Sequence, residues 1–214
     1  MAIWLKYVLI AVIGYLLGNI SVGILIARLY GIKDIRKVGS GNAGTTNVLR
    51  NLGWVPSVLT LAGDCLKGLV AALIGKWLAG DIGLLIGGNA AVIGHDFPVF
   101  FKFKGGKGIA TNLGLILVVN PAIAVGLTIA VLVVVAISRY MSLGSIMACF
   151  VYPTLVAILM RGNPYYAYYV GFGVFAGALA FYCHRSNLVR LIKGQENRLD
   201  FKKISSLHSK MKLK

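Results

Sequence analysis

Six apolar runs limit what this chain can become: residues 3–29, 54–78, 82–101, 109–137, 142–160 and 165–183. A helix needs roughly 20 apolar residues to cross the hydrocarbon core of a bilayer, and each run reaches or approaches that length. The chain is 58% hydrophobic and 13% charged. Soluble domains carry about 25% charged residues, so a soluble globule is excluded, and the apolar excess excludes disorder. The fold class read from this pattern is all-α, a polytopic membrane bundle. The first run is too long and too weakly interrupted for a cleaved signal peptide. It is read as a retained first span, with Lys6 and Arg28 close enough to its ends to snorkel.

The placement of charge decides how many times the chain crosses. Lys and Arg number 22 against 6 acids, a net charge of +16. Such a balance alone suits a nucleic-acid binder. In a membrane protein, however, cations gather on the cytoplasmic side. If the loop 31–53 is inside, the lysines at 102, 104 and 107 are inside too. A single span over 109–137 would then put the tail from His184, with nine cations, outside. Turning the chain at Asn120-Pro121 removes the conflict, because proline cannot donate an N–H and disfavours helix at the preceding residue. The two legs, 109–119 and 122–137, are short, about 16 and 24 Å at 1.5 Å per residue. Seven spans result, with the N-terminus outside and the C-terminus cytoplasmic, and 17 of the 22 cations lie on one face. No nucleic-acid partner is expected. The division read from the sequence is a membrane domain over 1–198 and a frayed basic tail over 199–214 that can lie on anionic lipid.

Three polar segments fall on that face. The first is Gly39-Ser40-Gly41-Asn42-Ala43-Gly44-Thr45-Thr46-Asn47, followed by Arg50. It contains GxGxxG, but a membrane span precedes it where a dinucleotide site needs a strand. What remains is a loop of glycines, hydroxyls and amides with one guanidinium, a set suited to a phosphate. The second, Gly94-His95-Asp96 through Lys104-Gly105-Gly106-Lys107-Gly108, fails as a Walker motif, because Phe101 stands where glycine is needed and no Ser or Thr follows Lys107. Its open backbone amides and lysines at a helix start still favour an anion. The third begins at His184, with Asn187 and Arg190–Leu191 following at helical spacing, and reaches Glu196, which is read as a structural ion-pairing acid.

The linker 138–145 adds hydroxyls, among them Ser145, to the same face. Asp64 and Lys67 sit i, i+3 within a span, where ionisable groups are expensive; a functional pair and a buried structural pair both remain open. No His/Cys/carboxylate set has metal-ligand spacing, so neither metal nor cofactor is expected. Cys65, Cys149 and Cys183 read as small buried hydrophobes. Two function classes fit: a membrane enzyme acting on a phosphate ester, and a transporter of a phosphorylated small anion. A transporter is expected to carry mid-span polar groups and inverted repeats, and neither is evident.

Ser40-Gly41-Asn42-x-Gly44-x-Thr46-Asn47-x-x-Arg50, the stretch from Gly94-His95 to Gly108, and His184-Arg185-x-Asn187-x-x-Arg190 to Gly194-x-Glu196 resemble the three signature motifs of the bacterial acyl-phosphate:glycerol-3-phosphate acyltransferases. The resemblance covers about residues 3–198. It implies a seven-span bacterial inner-membrane enzyme with a cytoplasmic active site. Such an enzyme moves a fatty acyl group from acyl phosphate to the sn-1 hydroxyl of glycerol 3-phosphate, giving lysophosphatidic acid and phosphate, the first step of phospholipid synthesis. It implies that Ser40, Ser145, His184 and Asn187 line the reacting centre. It also implies that Arg50, Lys107 and the Gly105-Gly106 backbone hold the phosphate, with Asn42, Asn47 and Lys104 beside them, and that Glu196 is structural. The proton acceptor stays open between His184 and a substrate phosphate oxygen. The His-x-x-x-x-Asp motif of a separate glycerolipid acyltransferase class is absent, since the fifth residue after each histidine is Phe100, Val189 or Leu213. The basic tail after Arg198 runs longer than the family pattern implies.

Overall fold

The structure, a computed structural model, describes residues 2–211, with side chains to residue 207. Its long elements among the described residues are all helices: α1 (Ile3–Gly18), α2 (Val22–Leu29), α3 (Thr45–Leu52), α4 (Trp54–Asp96), α5 (Ile109–Val119), α6 (Pro121–Ser138), α7 (Met141–Leu159), α8 (Tyr166–Cys183), α9 (Arg185–Ile192) and α10 (Phe201–Met211). Five described stretches are long and apolar enough to cross a membrane: Ile3–Leu29, Trp54–Phe101, Pro121–Ser138, Met141–Leu159 and Tyr166–Cys183. The shorter Ile109–Val119 accompanies them. Their outward faces carry exposed apolar side chains such as Trp4, Val58, Ile129, Phe150 and Val174, as lipid contact requires. The protein is a multi-pass membrane protein.

Two expected breaks are present. α4 leaves helical geometry at Ala79 and Gly80 and folds back on itself, so that Gly75 meets Gly83 and Ala71 meets Gly87 backbone to backbone. Small residues let helices approach this closely where no hydrophobic force drives them together. α5 and α6 part at Asn120, whose side-chain Oδ1 accepts from the amides of Ala122 and Ile123, with Pro121 as the first helical residue. The third break was not expected. The first run does not form one helix but divides at residues 19–21, and the freed carbonyls of Gly18 and Ile20 both accept from Lys67 Nζ, at 3.0 and 2.8 Å. Irregular backbone at membrane depth needs such a partner.

α1 packs on the second leg of α4 through Gly14, Gly18, Gly87 and Gly94. α4 through α8 enclose a core around Leu84, Leu115, Ile123, Tyr152 and Val156. The tail is not frayed as expected. Leu199 and Ile204 are buried against Leu49 and Val135, and Phe201 stacks on Trp54. The expected lipid-facing end of the tail, including Lys212 and Lys214, lies outside the described residues.

Candidate active site

All the polar segments converge at one end of the bundle. Asn42 Nδ2 donates to Gly105 O (3.4 Å), Arg50 Nη2 to Asn197 O (2.8 Å), the Leu199 amide to Arg139 O (2.8 Å) and Arg198 Nε to the Tyr140 hydroxyl (2.8 Å). Arg36, paired with Asp34 at 2.8 Å, reaches across to the carbonyls of Phe101 (2.9 Å) and Lys104 (3.1 Å). The sequence reading did not single out Arg36, because nothing in its own loop says that it bridges to the second one.

Between these segments opens a cavity of about 570 Å³, with Ser40, Asn42, Arg50, Lys104, Lys107, Ser145, His184, Asn187 and Glu196 on its wall. Leu113, Ile116, Leu127, Val131 and Tyr152 line it as well, so charged and apolar walls share one space. Lys104 and Ser40 are exposed, whereas Ser145, His184 and Asn187 are buried. Several buried atoms on the wall have no hydrogen-bond partner among the described residues, among them Thr45 Oγ1, Arg50 Nε, Asp96 Oδ1, Asn112 Oδ1 and Ser142 Oγ. Unpartnered buried polar atoms are rare in native proteins and call for an explanation; here they face the space a polar ligand would fill. Ser142 belongs to the linker whose hydroxyls were expected on this face, whereas Asn112 was not singled out because it sits in an apolar run.

A chain of contacts carries charge through the site. Lys107 Nζ donates to Asn187 Oδ1, Asn187 Nδ2 donates to Glu196 Oε1 (3.0 Å), and Arg190 Nε donates to Glu196 Oε2 (2.8 Å). Glu196, with its side chain 1% exposed, therefore orients Asn187 and pairs with Arg190. Burial, reinforced by repulsion from Arg190, brings the Lys107 ammonium down to about 8. Burial, and then the positive Lys107, take His184 down to about 4. Its Nδ1 lies 2.8 Å from Ala180 O; a carbonyl only accepts, so Nδ1 holds the proton and Nε2 keeps its lone pair. Burial also lowers the Arg50 guanidinium from its usual value.

Two expectations are corrected. The amides of Gly105 and Gly106 are not open to an anion: they donate to Asp96 O (3.2 Å) and His95 O (3.0 Å). The unengaged amides lie further on, in the first turn of α5. Its N-cap, Gly108 (φ +73°), offers no side-chain cap, and the first amides of a helix have no intrahelical acceptor. Nor is Asn47 free for phosphate. Its Nδ2 donates to the carbonyls of Ile35, Val38 and Asn42, and its Oδ1 accepts from the Ser40 and Asn51 nitrogens. It fixes the shape of the loop.

A family model described as glycerol-3-phosphate acyltransferase matches residues 8–194. The chain belongs to the glycerol-3-phosphate acyltransferase family. A relative of that name from Thermoanaerobacter pseudethanolicus is 43% identical over 197 residues, covering 90% of this chain and 95% of the relative. The crystal structure of PlsY (YgiH), an integral membrane glycerol 3-phosphate acyltransferase, in its glycerol 3-phosphate form superposes with a TM-score of 0.83 at 40% identity. It covers 92% of this chain and 98% of that one. The lysophosphatidic acid form gives 0.82 at 38% identity, covering 92% and 97%. The acyltransferase family match thus runs from within α1 through α9 and takes in the first two polar segments and the third as far as Gly194, with Glu196 and α10 beyond it.

Proposed function

We propose that this chain transfers a fatty acyl group from acyl phosphate to the sn-1 hydroxyl of glycerol 3-phosphate, releasing phosphate and lysophosphatidic acid. The observation that carries the reading is the mixed wall of the cavity. Arg50, Lys107 and the first turn of α5 suit a phosphate, and apolar residues of α5 to α8 suit an acyl chain. Counting both legs of α4 and the short α5 as crossings gives seven spans. With that odd number the termini lie on opposite faces, and the cation excess supports a site on the cytoplasmic face, in a bacterial inner membrane as the family resemblance implies. Family membership leaves the transporter alternative without support.

Acyl phosphate is already activated, so positioning and charge stabilisation are the main demands on the protein. The glycerol hydroxyl oxygen bonds to the acyl carbon, the bond from that carbon to the phosphate oxygen breaks, and the hydroxyl proton leaves with the phosphate. Ser145, Asn187 and the hydroxyl of Ser142 lie where they can orient the carbonyl. His184, held low by burial, is a weak base, so a phosphate oxygen takes the proton and His184 Nε2 orients the hydroxyl as an acceptor. From this follows a pH profile: kcat is expected to show no acidic limb from His184 between pH 5 and 7, since the ring is already neutral above about 4. An acidic limb near pH 6.5 that disappears in His184→Gln would overturn that assignment.

The function itself is tested with the purified protein, glycerol 3-phosphate and one of three donors: palmitoyl phosphate, palmitoyl-CoA or palmitoyl-acyl carrier protein. Lysophosphatidic acid and phosphate are expected from palmitoyl phosphate alone. Product from a thioester donor instead would reject the acyl phosphate assignment.

A further inference from the structure

Beneath the Gly105-Gly106 turn lies a cluster that the reaction above does not use. Lys67 is 6% exposed and Asp64 1%, both in the first leg of α4. Lys67 Nζ is 2.8 Å from Asp64 Oδ1 and 2.7 Å from His95 Nδ1. Its other two acceptors are the carbonyls at the break between α1 and α2. The ammonium thus has four acceptors for three protons. Asp64 Oδ1 and His95 Nδ1 lie 3.3 Å apart, both beside the same ammonium. A buried ammonium inside a membrane is retained only where partners offset its desolvation, and here every direction around it is filled.

This fixes the state of His95. An ammonium has only donors, so His95 Nδ1 accepts and the neutral ring carries its proton on Nε2. That edge of the ring lies against Gly106: a Cβ added there would fall on His95 Nε2, and one at Gly105 would fall on His95 O. The two glycines are required because the turn lies directly on this histidine. The next residue is Lys107.

We infer that Asp64, Lys67 and His95 are positioning residues for Lys107. Lys67 locks the His95 ring, the ring sets the height of the Gly105-Gly106 turn, and the turn sets where the Lys107 ammonium stands. The same lysine holds the α1–α2 break, so one side chain ties the first apolar run to the second polar segment. The inference rests on the reading of Lys107 as a phosphate-binding residue.

The test is a double-mutant cycle with steady-state kinetics. Lys67→Met is expected to raise the KM for glycerol 3-phosphate about tenfold, an effect that outweighs any fall in kcat. In a Lys107→Ala background the same change should add less than about twofold, because its route to the substrate is already cut. Additive effects in the two backgrounds would overturn the inference, since a general structural defect adds to the loss of Lys107. His95→Asn, which keeps an acceptor for Lys67 but lacks the edge that reaches Gly106, runs through the same cycle and decides the matter if Lys67→Met does not fold. Nitrogen-15 NMR of histidine-labelled protein needs no turnover. The Nε2–H tautomer at His95 is expected in the wild type and should be lost in Lys67→Met. A proton on Nδ1 in the wild type would overturn the relay. A wild-type protein that makes no lysophosphatidic acid would overturn the proposed function while leaving the NMR result to judge the relay.

Discussion

Lys107→Ala is expected to raise the KM for glycerol 3-phosphate about 100-fold, the cost of removing one partner from a desolvated charge contact. The ammonium is half-buried in a cavity wall, and its contact with Asn187 leaves it further protons for a ligand oxygen. Removing it takes away positive charge in a place where water screens little. The lowered value of Lys107 adds a signature. With the free ammonium titrating at about 8, it is charged below that pH and neutral above it. The kcat/KM for glycerol 3-phosphate should therefore be level with respect to this group below about pH 7 and fall about tenfold per unit above pH 9. In Lys107→Ala that alkaline limb should vanish. A variant with wild-type KM, or an alkaline limb that survives the substitution, would remove Lys107 from the site.

The second large effect is expected on stability. Glu196→Ala leaves the Arg190 guanidinium without its acid and the Asn187 amide without its acceptor. Arg190 is 34% exposed, so the loss is that of hydrogen bonds to a charged group, about 1.5–3 kcal/mol, and thermal unfolding should shift down by about 5 °C or more. Glu196→Gln keeps an oxygen for Asn187 and loses the charge facing Arg190, so a smaller drop is expected. Equal unfolding temperatures for wild type and Glu196→Ala, with activity lost, would instead make Glu196 a participant in the reaction.

The sequence made the crossings legible where a local signal marks them. Pro121 ends α5 because of its own ring, and the weak apolar stretch around residues 79–81 separates the two legs of α4. The break at residues 19–21 carries no such signal. What holds it is Lys67, brought there only by folding, whose ammonium donates to the carbonyls of Gly18 and Ile20. The same distinction runs through the site. Arg50, Lys107, His184 and Asn187 could be named from residue type and spacing, and the cavity joins them. The donors of the glycine turn could not be assigned, because whether an amide is free depends on which carbonyl lies opposite. In that turn the carbonyls are those of His95 and Asp96. Asn47 illustrates the same limit: a loop asparagine reads as a ligand donor until five neighbours claim its amide.

The contacts that finish the site join distant parts of the chain. Lys107 meets a partner 80 positions later, and Arg50 one 147 positions later. During synthesis, spans from the first half of the chain enter the membrane while both cations still lack those partners. Long-range contacts of this kind form late, so the phosphate pocket is completed only once residue 197 has left the ribosome. A ribosome-bound intermediate that ends before α8 is therefore expected to bind no glycerol phosphate, and the growing polypeptide is kept from trapping substrate before α9 and Asn197 are in place.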